Sequence, residues 1–499
     1  MTTLIKNGLL YIGTPDAPQK LDVLLQNDRI VRIGSLQKMK ADEIIDATGL
    51  IVCPGFIDIN THSDHYFSIF SDPLQRDFLK EGITTIIGGN CGESLAPFSL
   101  ARKGVSTDWG HTQISSANIH WHDMRELFRV LKNKKFGVNF GTLVGYTTIR
   151  NFVTSDALRD LTDSEYELTK NILQDALKEG AFGLSTGFEE SHEEHIPYRE
   201  ILPLIKIVGE KNGVYATHIK NFGDHLESAV GDVLRVAREM GVKIEISHFI
   251  PTKDHAEKYQ KAKALIEQES AMANIHFDIP VSFERIIPIH RFLPHWIHDE
   301  HAEETFVHLH SSHLKKRIMN HFSQLDLKNV TIAVTPKYLS SLVGKSLKDI
   351  SKSFGMPIGN TLLYLMQISH MTIMCAIGDV DKNTLEDFVN SPVSIISSAS
   401  SNFPKSEFSS KTRESIFASI SAIAKEKNIA IERLISKFTS IPAIKYGIRD
   451  RGQIKEGYYA DLVIFKDLTA FDVFVNGTHV IKSGALEDVY GGRTLLKTH

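Results

Sequence analysis

The chain has 499 residues, a formal net charge of −4 and 23% charged residues. This length accommodates a large barrel core, which typically takes about 250 residues, together with a second domain. Acidic and basic residues are interspersed, so the charge pattern predicts a small-molecule ligand rather than a nucleic acid or an anionic membrane.

The cysteine content and the N-terminal sequence indicate the cellular compartment in which the protein resides. Three cysteines are too few and too scattered for a disulfide framework, which favours a reducing environment. The first residues lack the pattern of a signal peptide, and no apolar run approaches the roughly 20 residues that span a bilayer. The sequence therefore predicts a cytoplasmic protein that does not bind membranes.

Short β-type runs occupy both ends of the chain. In the first 54 residues they alternate with turn residues, and Asn27-Asp28 predicts a hairpin between two of them. A second set includes the runs at 460–465 and 471–477. We expect the two ends, residues 1–54 and 441–499, to form one small β-sandwich domain.

Between these ends, strand-like and helical segments alternate, which is the pattern of a parallel α/β barrel. The first barrel strand is predicted within residues 53–65 and the last at 393–398. Helical periodicity is present at 163–178 and 226–240. We therefore expect a (β/α)8 TIM-like barrel over residues 55–440. Six further strands are predicted at 83–87, 138–144, 181–185, 214–217, 242–246 and 275–279.

The region at about 282–390 breaks this alternation and predicts an insertion over the barrel mouth. It carries several helices, many histidines and one extra strand at 371–376. The His-rich run at 290–313 has irregular spacing, so a solvated helical surface is a better interpretation than a metal site.

Three predicted strand ends carry side chains that can bind a metal. In a parallel barrel the functional side chains lie where the strands end. Cys91 follows the second strand, His218 ends the fifth and His248 ends the sixth. One cysteine and two histidines supply three tetrahedral ligands and leave a fourth position for water, which is typical of a catalytic zinc site. Taken singly, each is more often a core cysteine or a hydrogen-bonded histidine.

Several motifs resemble the amidohydrolase superfamily and, within it, the D-aminoacylase (N-acyl-D-amino-acid deacylase) branch. The first strand resembles the family's Pro-Gly-Phe-Ile-Asp-x-His-x-His, and residues 451–463 resemble its closing signature. The Gly-Leu-Ser-Thr-Gly motif at 183–187 and the contexts of Cys91, His218 and His248 match as well. The resemblance implies a TIM-like barrel with a β-sandwich. It also implies a metal-dependent hydrolase that acts on non-peptide C–N (amide) bonds of a small molecule through metal-activated water.

The resemblance also implies which residues form the site. One zinc ion is expected on Cys91, His218 and His248, with His62 near it. A second metal site is doubtful, because Asn60 stands where the family has the first histidine of its first strand. Substrate binding is expected at Lys405, which keeps a positive charge in a segment that resembles the family's His-Pro-Arg. It is also expected at Glu190 and His195, because their loop should lie on the functional face of the barrel.

The family's catalytic pattern is broken at several positions. Ala399 stands where an aspartate is expected as the general base, and Ile250 where a lysine is expected to hold the substrate carboxylate. Tyr146 replaces a histidine, and the tyrosines that flank a proline on the seventh strand are also absent. A replacement base is conceivable at Asp64 or in the acidic, His-bearing loop at 189–195, although a solvated charged turn is the plainer interpretation of that loop.

These departures leave more than one function open. The first is a divergent zinc-dependent hydrolase of a cyclic or linear amide, with an unassigned base. The second is a catalytically impaired pseudoenzyme that binds a ligand or partner without turnover, which Ala399, Asn60 and Ile250 favour. The third is an interaction scaffold whose strand-end histidines are remnants, since one barrel architecture hosts many functions.

Overall fold

The structure, a computed structural model, describes residues 1–98, 119–154, 159–188, 196–298, 302–398 and 415–498. The strands, in chain order, are β1 (Thr2–Leu10), β2 (Gln19–Gln26), β3 (Arg29–Gly34), β4 (Glu43–Asp46), β5 (Ile51–Pro54), β6 (Phe56–Asp58), β7 (Ile83–Gly88), β8 (Asn139–Thr142), β9 (Val144–Gly145), β10 (Gly183–Gly187), β11 (Val214–His218), β12 (Lys243–Ile246), β13 (Ile275–Pro280), β14 (Arg285–Pro288), β15 (Val330–Val334), β16 (Met374–Ile377), β17 (Ser394–Ser397), β18 (Leu462–Lys466), β19 (Thr469–Val475), β20 (Thr478–Lys482) and β21 (Ala485–Leu486).

The helices alternate with the barrel strands and also fill the insertion. They are α1 (Ser68–Ser71), α2 (Arg76–Lys80), α3 (Met124–Lys132), α4 (Tyr146–Thr154), α5 (Asp163–Glu179), α6 (Tyr198–Glu210), α7 (Leu226–Met240), α8 (Ala256–Glu269), α9 (His295–His298), α10 (Ala302–His310), α11 (Ser312–Phe322), α12 (Leu347–Phe354), α13 (Ile358–Ile368), α14 (Lys382–Val389), α15 (Ile416–Glu426), α16 (Ile431–Ser436) and α17 (Ser440–Tyr446). In the described part of the chain, none of them combines the length and the hydropathy that a bilayer crossing needs.

Eight strand positions form the barrel wall. Strands β6, β7 and β8 pair in parallel in one arc, and β9, β10, β11, β12, β13 and β17 pair in parallel in the other. Leu143 separates β8 from β9, which together make the third strand position. Where β17 returns to β6, the backbone N–H of Ser398 donates to the Asp58 carboxylate at 3.1 Å. The predicted (β/α)8 class is confirmed, and α7 has the predicted bounds.

The barrel strands are apolar on both faces, as a parallel sheet covered by helices requires. Ile57, Ile87, Val214 and Ile395 share an inner cluster, which Tyr446 of α17 also joins. Residues that alternate with these, such as Ile86 and Ile244, pack instead with the surrounding helices. The alternation follows from the period of two in a strand, which points successive side chains to opposite faces.

The two chain ends share one sheet of nine strands. Its order is β21-β20-β19-β18-β5-β1-β2-β3, with β4 paired to β1. The ends join where β18 pairs antiparallel with β5, and Leu462 lies opposite Pro54. The predicted hairpin connects β2 to β3, with Gln26 opposite Arg29. The sheet encloses its own apolar cluster, so the small β-sandwich expected from both ends is confirmed.

The insertion contains more sheet than its sequence indicates. One extra strand was expected, whereas β14, β16 and β15 form a three-stranded antiparallel sheet. The other two strands are short and lie among helical segments, so their alternation carries little signal. Helices α9 to α13 and one face of this sheet build a separate apolar core. In contrast, Leu385 and Phe388 of α14 belong to the barrel core. The separate apolar unit therefore ends near Ile377, earlier than the boundary at about residue 390 that the sequence predicts.

A buried ion pair links the barrel to the nine-stranded sheet. Arg451 and Asp461 pair with side-chain exposures of 3% and 4%. The Asp461 carboxylate also accepts hydrogen bonds from Asn139 Nδ2 of β8 at 3.1 Å and from the backbone N–H of Asn476 at 2.7 Å. Because the partners come from both domains, this carboxylate fixes their relative position.

We expect Asp461→Ala to lower the free energy of unfolding by about 3–5 kcal/mol, because Arg451 would be left as a buried, unpaired charge. Thermal unfolding followed by circular dichroism measures the change. Asp488→Ala, at an exposed position of the same C-terminal segment, is the matched control and should alter stability by no more than about 0.5 kcal/mol. Equal melting temperatures for the two variants would contradict a structural role for the pair.

Candidate metal centre

Cys91 lies on a tight loop that follows β7. Its φ is 53°, and Gly89 and Gly92 on either side have φ of 74° and 79°. A left-handed backbone is uncommon for a residue other than glycine and is often found at functional sites. A Cβ on Gly89 would lie 2.2 Å from the backbone oxygen of Leu143, so this position accepts only glycine. The loop therefore holds the buried thiol close to the ends of the barrel strands.

Ser185 of β10 binds both sides of this loop. Its Oγ donates to the carbonyl oxygen of Gly89 at 2.5 Å and accepts from the N–H of Gly92 at 3.1 Å. The Asp64 carboxylate accepts from the N–H of Gly89 at 2.6 Å. Ser185 belongs to the motif at 183–187, but nothing in the linear sequence indicates that it supports the cysteine loop.

His218 and His248 approach the same sulfur from neighbouring strands. Nε2 of His218 lies 3.0 Å from Sγ of Cys91, and Nε2 of His248 lies 3.5 Å from it. The two imidazole centroids are 5.0 Å apart, with the rings at 80° to each other. His248 also has a left-handed backbone, with φ of 54°. The structure therefore brings together the three side chains that were predicted to bind zinc.

His62 completes the cluster. Its ligand atom and those of Cys91 and His248 all lie within 4.8 Å of one another, and among the described residues no other group of three potential ligands has this spacing. His218 lies outside that group, but its short distance to the sulfur places it in the same cluster. Histidines of the run at 290–313 form no such group in the described ranges.

The distance between Cys91 and His248 fits a tetrahedral zinc site, and the distance between Cys91 and His218 is shorter than that geometry gives. Zinc–sulfur and zinc–nitrogen bonds of about 2.3 and 2.1 Å at a tetrahedral angle place the two ligand atoms about 3.5 Å apart. The separation of Cys91 and His248 has this value, and that of Cys91 and His218 is 3.0 Å. The donor set of thiolate and imidazoles is one that zinc prefers. The residues present therefore fit this metal.

Burial favours the neutral form of His62 and His218. The pKa of His62 lies well below its usual value, first because burial disfavours the charged ring and then because of His65 and His248. Burial, followed by the charges of His248 and Arg291, likewise lowers the pKa of His218. A neutral imidazole has a free lone pair for a metal ion. The contribution of Arg291 also shows that the insertion reaches the electrostatic environment of the cluster.

Asn60, which replaces a histidine of the family pattern, is held by Asp278. The Asn60 Nδ2 donates to Asp278 Oδ2 at 2.8 Å and lies 3.4 Å from Nε2 of His248. Asp278 also accepts from the backbone N–H of His248 at 3.1 Å and from Ser397 Oγ at 2.6 Å. Its carboxylate thus joins the ends of four strand positions. The sequence places Asp278 on a strand but does not reveal these contacts.

Other altered positions have identifiable surroundings. Ile250 is buried, with 8% exposure, and offers no charge for a carboxylate. Ile279, where the family has a tyrosine, packs in the core outside the barrel. Tyr146 donates a hydrogen bond through Oη to the carboxylate of Glu200 on α6. These contacts give the three side chains packing roles.

Four predicted site positions lie outside the described residues, namely Glu190, His195, Ala399 and Lys405. Their roles stay predictions. Asp64, the other candidate base, is described and is 1% exposed. Burial raises its pKa, and one of its oxygens is occupied by the N–H of Gly89. This contact gives Asp64 a supporting role for the cysteine loop.

The insertion contacts the turn that follows the first barrel strand. The hydroxyl of Tyr66, which follows the first barrel strand, donates to Sδ of Met374 on β16 at 3.6 Å. Met374 belongs to a small apolar cluster with Ala333 and Ala376 on one face of the inserted sheet. A buried apolar cluster of the insertion is therefore joined to the segment that carries His62.

Comparisons with known proteins agree with this architecture. A profile of the Amidohydrolase family matches residues 380–486. D-aminoacylase of Alcaligenes xylosoxydans xylosoxydans is 25% identical over 99% of this chain and 97% of its own. N-acyl-D-aspartate deacylase of the same organism is 25% identical over 94% of this chain and 86% of its own.

Solved structures show the same fold. N-acyl-D-glutamate deacylase from Bordetella bronchiseptica, in complex with zinc and a phosphonate inhibitor, has a TM-score of 0.82 at 22% identity over 99% of both chains. A D-aminoacylase structure has a TM-score of 0.80 at 24% identity, also over 99% of both chains.

The fold is therefore that of the amidohydrolases, a TIM-like barrel that carries a β-sandwich. Over nearly its whole length the chain is similar to D-aminoacylase and to N-acyl-D-aspartate deacylase, in agreement with the resemblance seen in its motifs.

We expect Ser185→Ala to weaken zinc binding by about 10–100-fold, the usual effect of removing a group that orients a metal ligand. The loop of Cys91 would lose both of its contacts with the β10 hydroxyl. Competition with a chelating dye measures the affinity. Ser353→Ala, at an exposed position on α12, is the matched control. Unchanged affinity in Ser185→Ala would show that the loop needs no such support.

Proposed function

We propose that this protein is a metal-dependent hydrolase of a non-peptide C–N (amide) bond, with one zinc ion held by Cys91, His218 and His248 and with His62 near it. The observation that carries this proposal is the approach of two imidazole nitrogens to one buried sulfur, at 3.0 and 3.5 Å. When bound, zinc would lower the pKa of a water molecule toward about 7 and polarise the carbonyl of the amide.

The surrounding residues keep the ligands in place. Asp278 accepts from the backbone N–H of His248, whose left-handed backbone directs its ring toward the sulfur. Ser185 and Asp64 hold the loop of Cys91 from two sides. These contacts restrain the backbone that carries Cys91 and His248, as precise ligand geometry requires.

The proton acceptor of this reaction is unassigned. Alanine at position 399 cannot accept a proton, and the loss of a general base typically slows catalysis by a factor of about 10² to 10⁴. Asp58 is a buried carboxylate at the point where the last barrel strand meets the first, and burial raises its pKa to about 7. It is occupied by the N–H groups of Asn60 and Ser398, so we give it a structural role. Slow turnover is therefore expected.

The substrate is proposed to be a small amide without a strongly held carboxylate. The curated relatives are named for D-amino-acid derivatives, such as N-acyl-D-aspartate. In this chain, Ile250 replaces the lysine that the family resemblance assigns to the carboxylate, and the apolar cluster of Met374 is joined to the segment that carries His62. These differences favour a less polar cyclic or linear amide.

A catalytically impaired protein that binds a ligand or partner is the second candidate. It is favoured by Asn60, whose amide is engaged by Asp278, and by Ala399. Both changes remove groups with metal-binding or proton-transfer chemistry and leave the barrel intact. Robust turnover by the unmodified protein would exclude this candidate.

Elemental analysis of the purified protein tests the metal centre. We expect about one zinc per chain and its loss in His218→Ala, because that variant removes the imidazole nearest to the sulfur. His225→Ala, at an exposed position before α7, is the matched control and should retain zinc. Absence of metal from the unmodified protein, or equal metal in both variants, would contradict the centre.

The altered positions can be tested by restoring the family residues. We expect Ala399→Asp to raise kcat for amide hydrolysis by about 10²-fold or more, since it supplies a general base. Adding Ile250→Lys should mainly lower KM for N-acyl-D-amino acids, which carry a carboxylate. Steady-state kinetics on N-acyl-D-amino acids and on neutral amides separates the two effects. If neither change raises the activity of a zinc-loaded protein, the site does not perform this chemistry.

A further inference from the structure

A cavity of about 340 Å³ lies at the end of the barrel opposite the candidate metal centre. It is bordered by α17, by the loop that follows this helix and by the C-terminal segment at 497–498. Asn212, which also lines the cavity, comes just before β11, whereas His218 ends that strand. A strand of five residues is roughly 16 Å long, so the cavity is separate from the metal ligands. Its volume is sufficient for a small molecule.

Lys497 brings a buried positive charge to the wall of this cavity. The residue is 6% exposed, and its Nζ donates to the backbone oxygen of Asn212. In the described part of the chain this oxygen is the one acceptor of the ammonium group, which has three donors. Burial, and then the positive charge of Lys243, lowers the pKa of Lys497 to about 8. The ammonium group therefore has donors available for a ligand that carries negative charge.

Arg449 adds a second cation to the same wall, and it is exposed. The other charged residues of the wall are engaged. Arg451 pairs with Asp461, and Asp450 pairs with Arg29 at 3.2 Å. Among the described residues, neither Arg449 nor the buried lysine forms an ion pair with a carboxylate. The cavity therefore has an excess of positive charge.

A purely structural role for Lys497 accounts for only part of this arrangement. A Cβ on Gly447, the residue that follows α17, would lie 4.0 Å from Nζ of Lys497. A cation near the C-terminal end of a helix interacts favourably with the helix dipole. That interaction explains the position of the lysine, but it explains neither the cavity beside it nor the second cation.

The chemistry of the wall suits a phosphate group. Near neutral pH a phosphate monoester carries a charge of about −1.5 to −2, which matches one lysine and one arginine. Arginine presents a planar fork to phosphate oxygens, and lysine acts as a compact point charge. Ile444, which is 70% exposed, and Tyr458 also line the cavity and provide apolar surface for an organic group.

We propose that this cavity binds the phosphate group of a small molecule, with Lys497 and Arg449 as its cationic partners. The site is independent of the metal centre and goes beyond the proposed function. Inorganic phosphate and a small phosphomonoester share the recognised chemistry, a doubly charged oxyanion. Because α17 and the C-terminal segment meet at the cavity, the bound anion stabilises their junction.

Isothermal titration calorimetry of the full-length protein with inorganic phosphate and with glycerol 3-phosphate, at constant ionic strength, tests this site. We expect one saturable site per chain, with Kd raised by about 10-fold or more in Arg449→Gln and in Lys497→Gln, since each variant removes a charged donor. Lys348→Gln, at an exposed position on α12, removes the same charge and is the matched control, which should bind as the unmodified protein does. Tighter binding of glycerol 3-phosphate would assign the site to an ester, and equal binding would assign it to free phosphate.

Three results would overturn the proposal. The first is absence of saturable binding to the unmodified protein. The second is an equal loss of affinity in Lys348→Gln, which would indicate a general effect of net charge. The third is binding that is lost in His218→Ala and retained in Arg449→Gln, which would place the phosphate at the metal centre. Since Arg449 is exposed, its variant remains decisive if circular dichroism shows that Lys497→Gln is unfolded. The zinc content of each variant is measured in parallel, so failure of this site is distinguishable from failure of the metal centre.

Discussion

The thiol of Cys91 must lie where several strand ends converge, and the backbone can place it there only in a left-handed conformation. That conformation is unfavourable for a cysteine and persists because neighbouring groups hold the loop on both sides. Ser185 contacts the residues before and after it, and Asp64 binds the same turn. The distances to His218 and His248 depend on this one loop. The candidate centre is therefore a property of the backbone as much as of the ligating side chains.

The same carboxylates that order the loops also determine the electrostatics of the site. Asp278 connects Asn60, His248 and Ser397, and Asp58 closes the seam between the last and first barrel strands. His62 and His218 lie close to these groups and are buried, and burial lowers the pKa of both rings. An ion that binds there would meet the lone pairs of neutral imidazoles. This arrangement favours metal binding whether or not turnover has been retained.

This protein shares the fold of its relatives but departs from the family's pattern of site residues, because the fold and the site depend on separate residues. The barrel and the sandwich are joined by the network of Arg451, Asp461 and Asn139, which is buried and complete. Departures from the family pattern such as Asn60 and Ile250 lie outside this network, and Ile250 packs in the main apolar core. A conserved scaffold can therefore carry an altered site, and fold alone does not decide the reaction.

The sequence by itself determined the fold class, the alternation of barrel strands and helices, and the three candidate ligands at the strand ends. Those features depend on local periodicity and on the rule that functional side chains follow parallel strands, so α7 has its predicted bounds and Cys91, His218 and His248 were found. Only the tertiary structure decided which groups support them. Ser185 and Gly89 are 96 positions apart and Asn60 and Asp278 are 218 apart, so no spacing in the chain reports their contacts. The approach of His65 to His62 is local, but it depends on the turn conformation, which residue order alone does not specify.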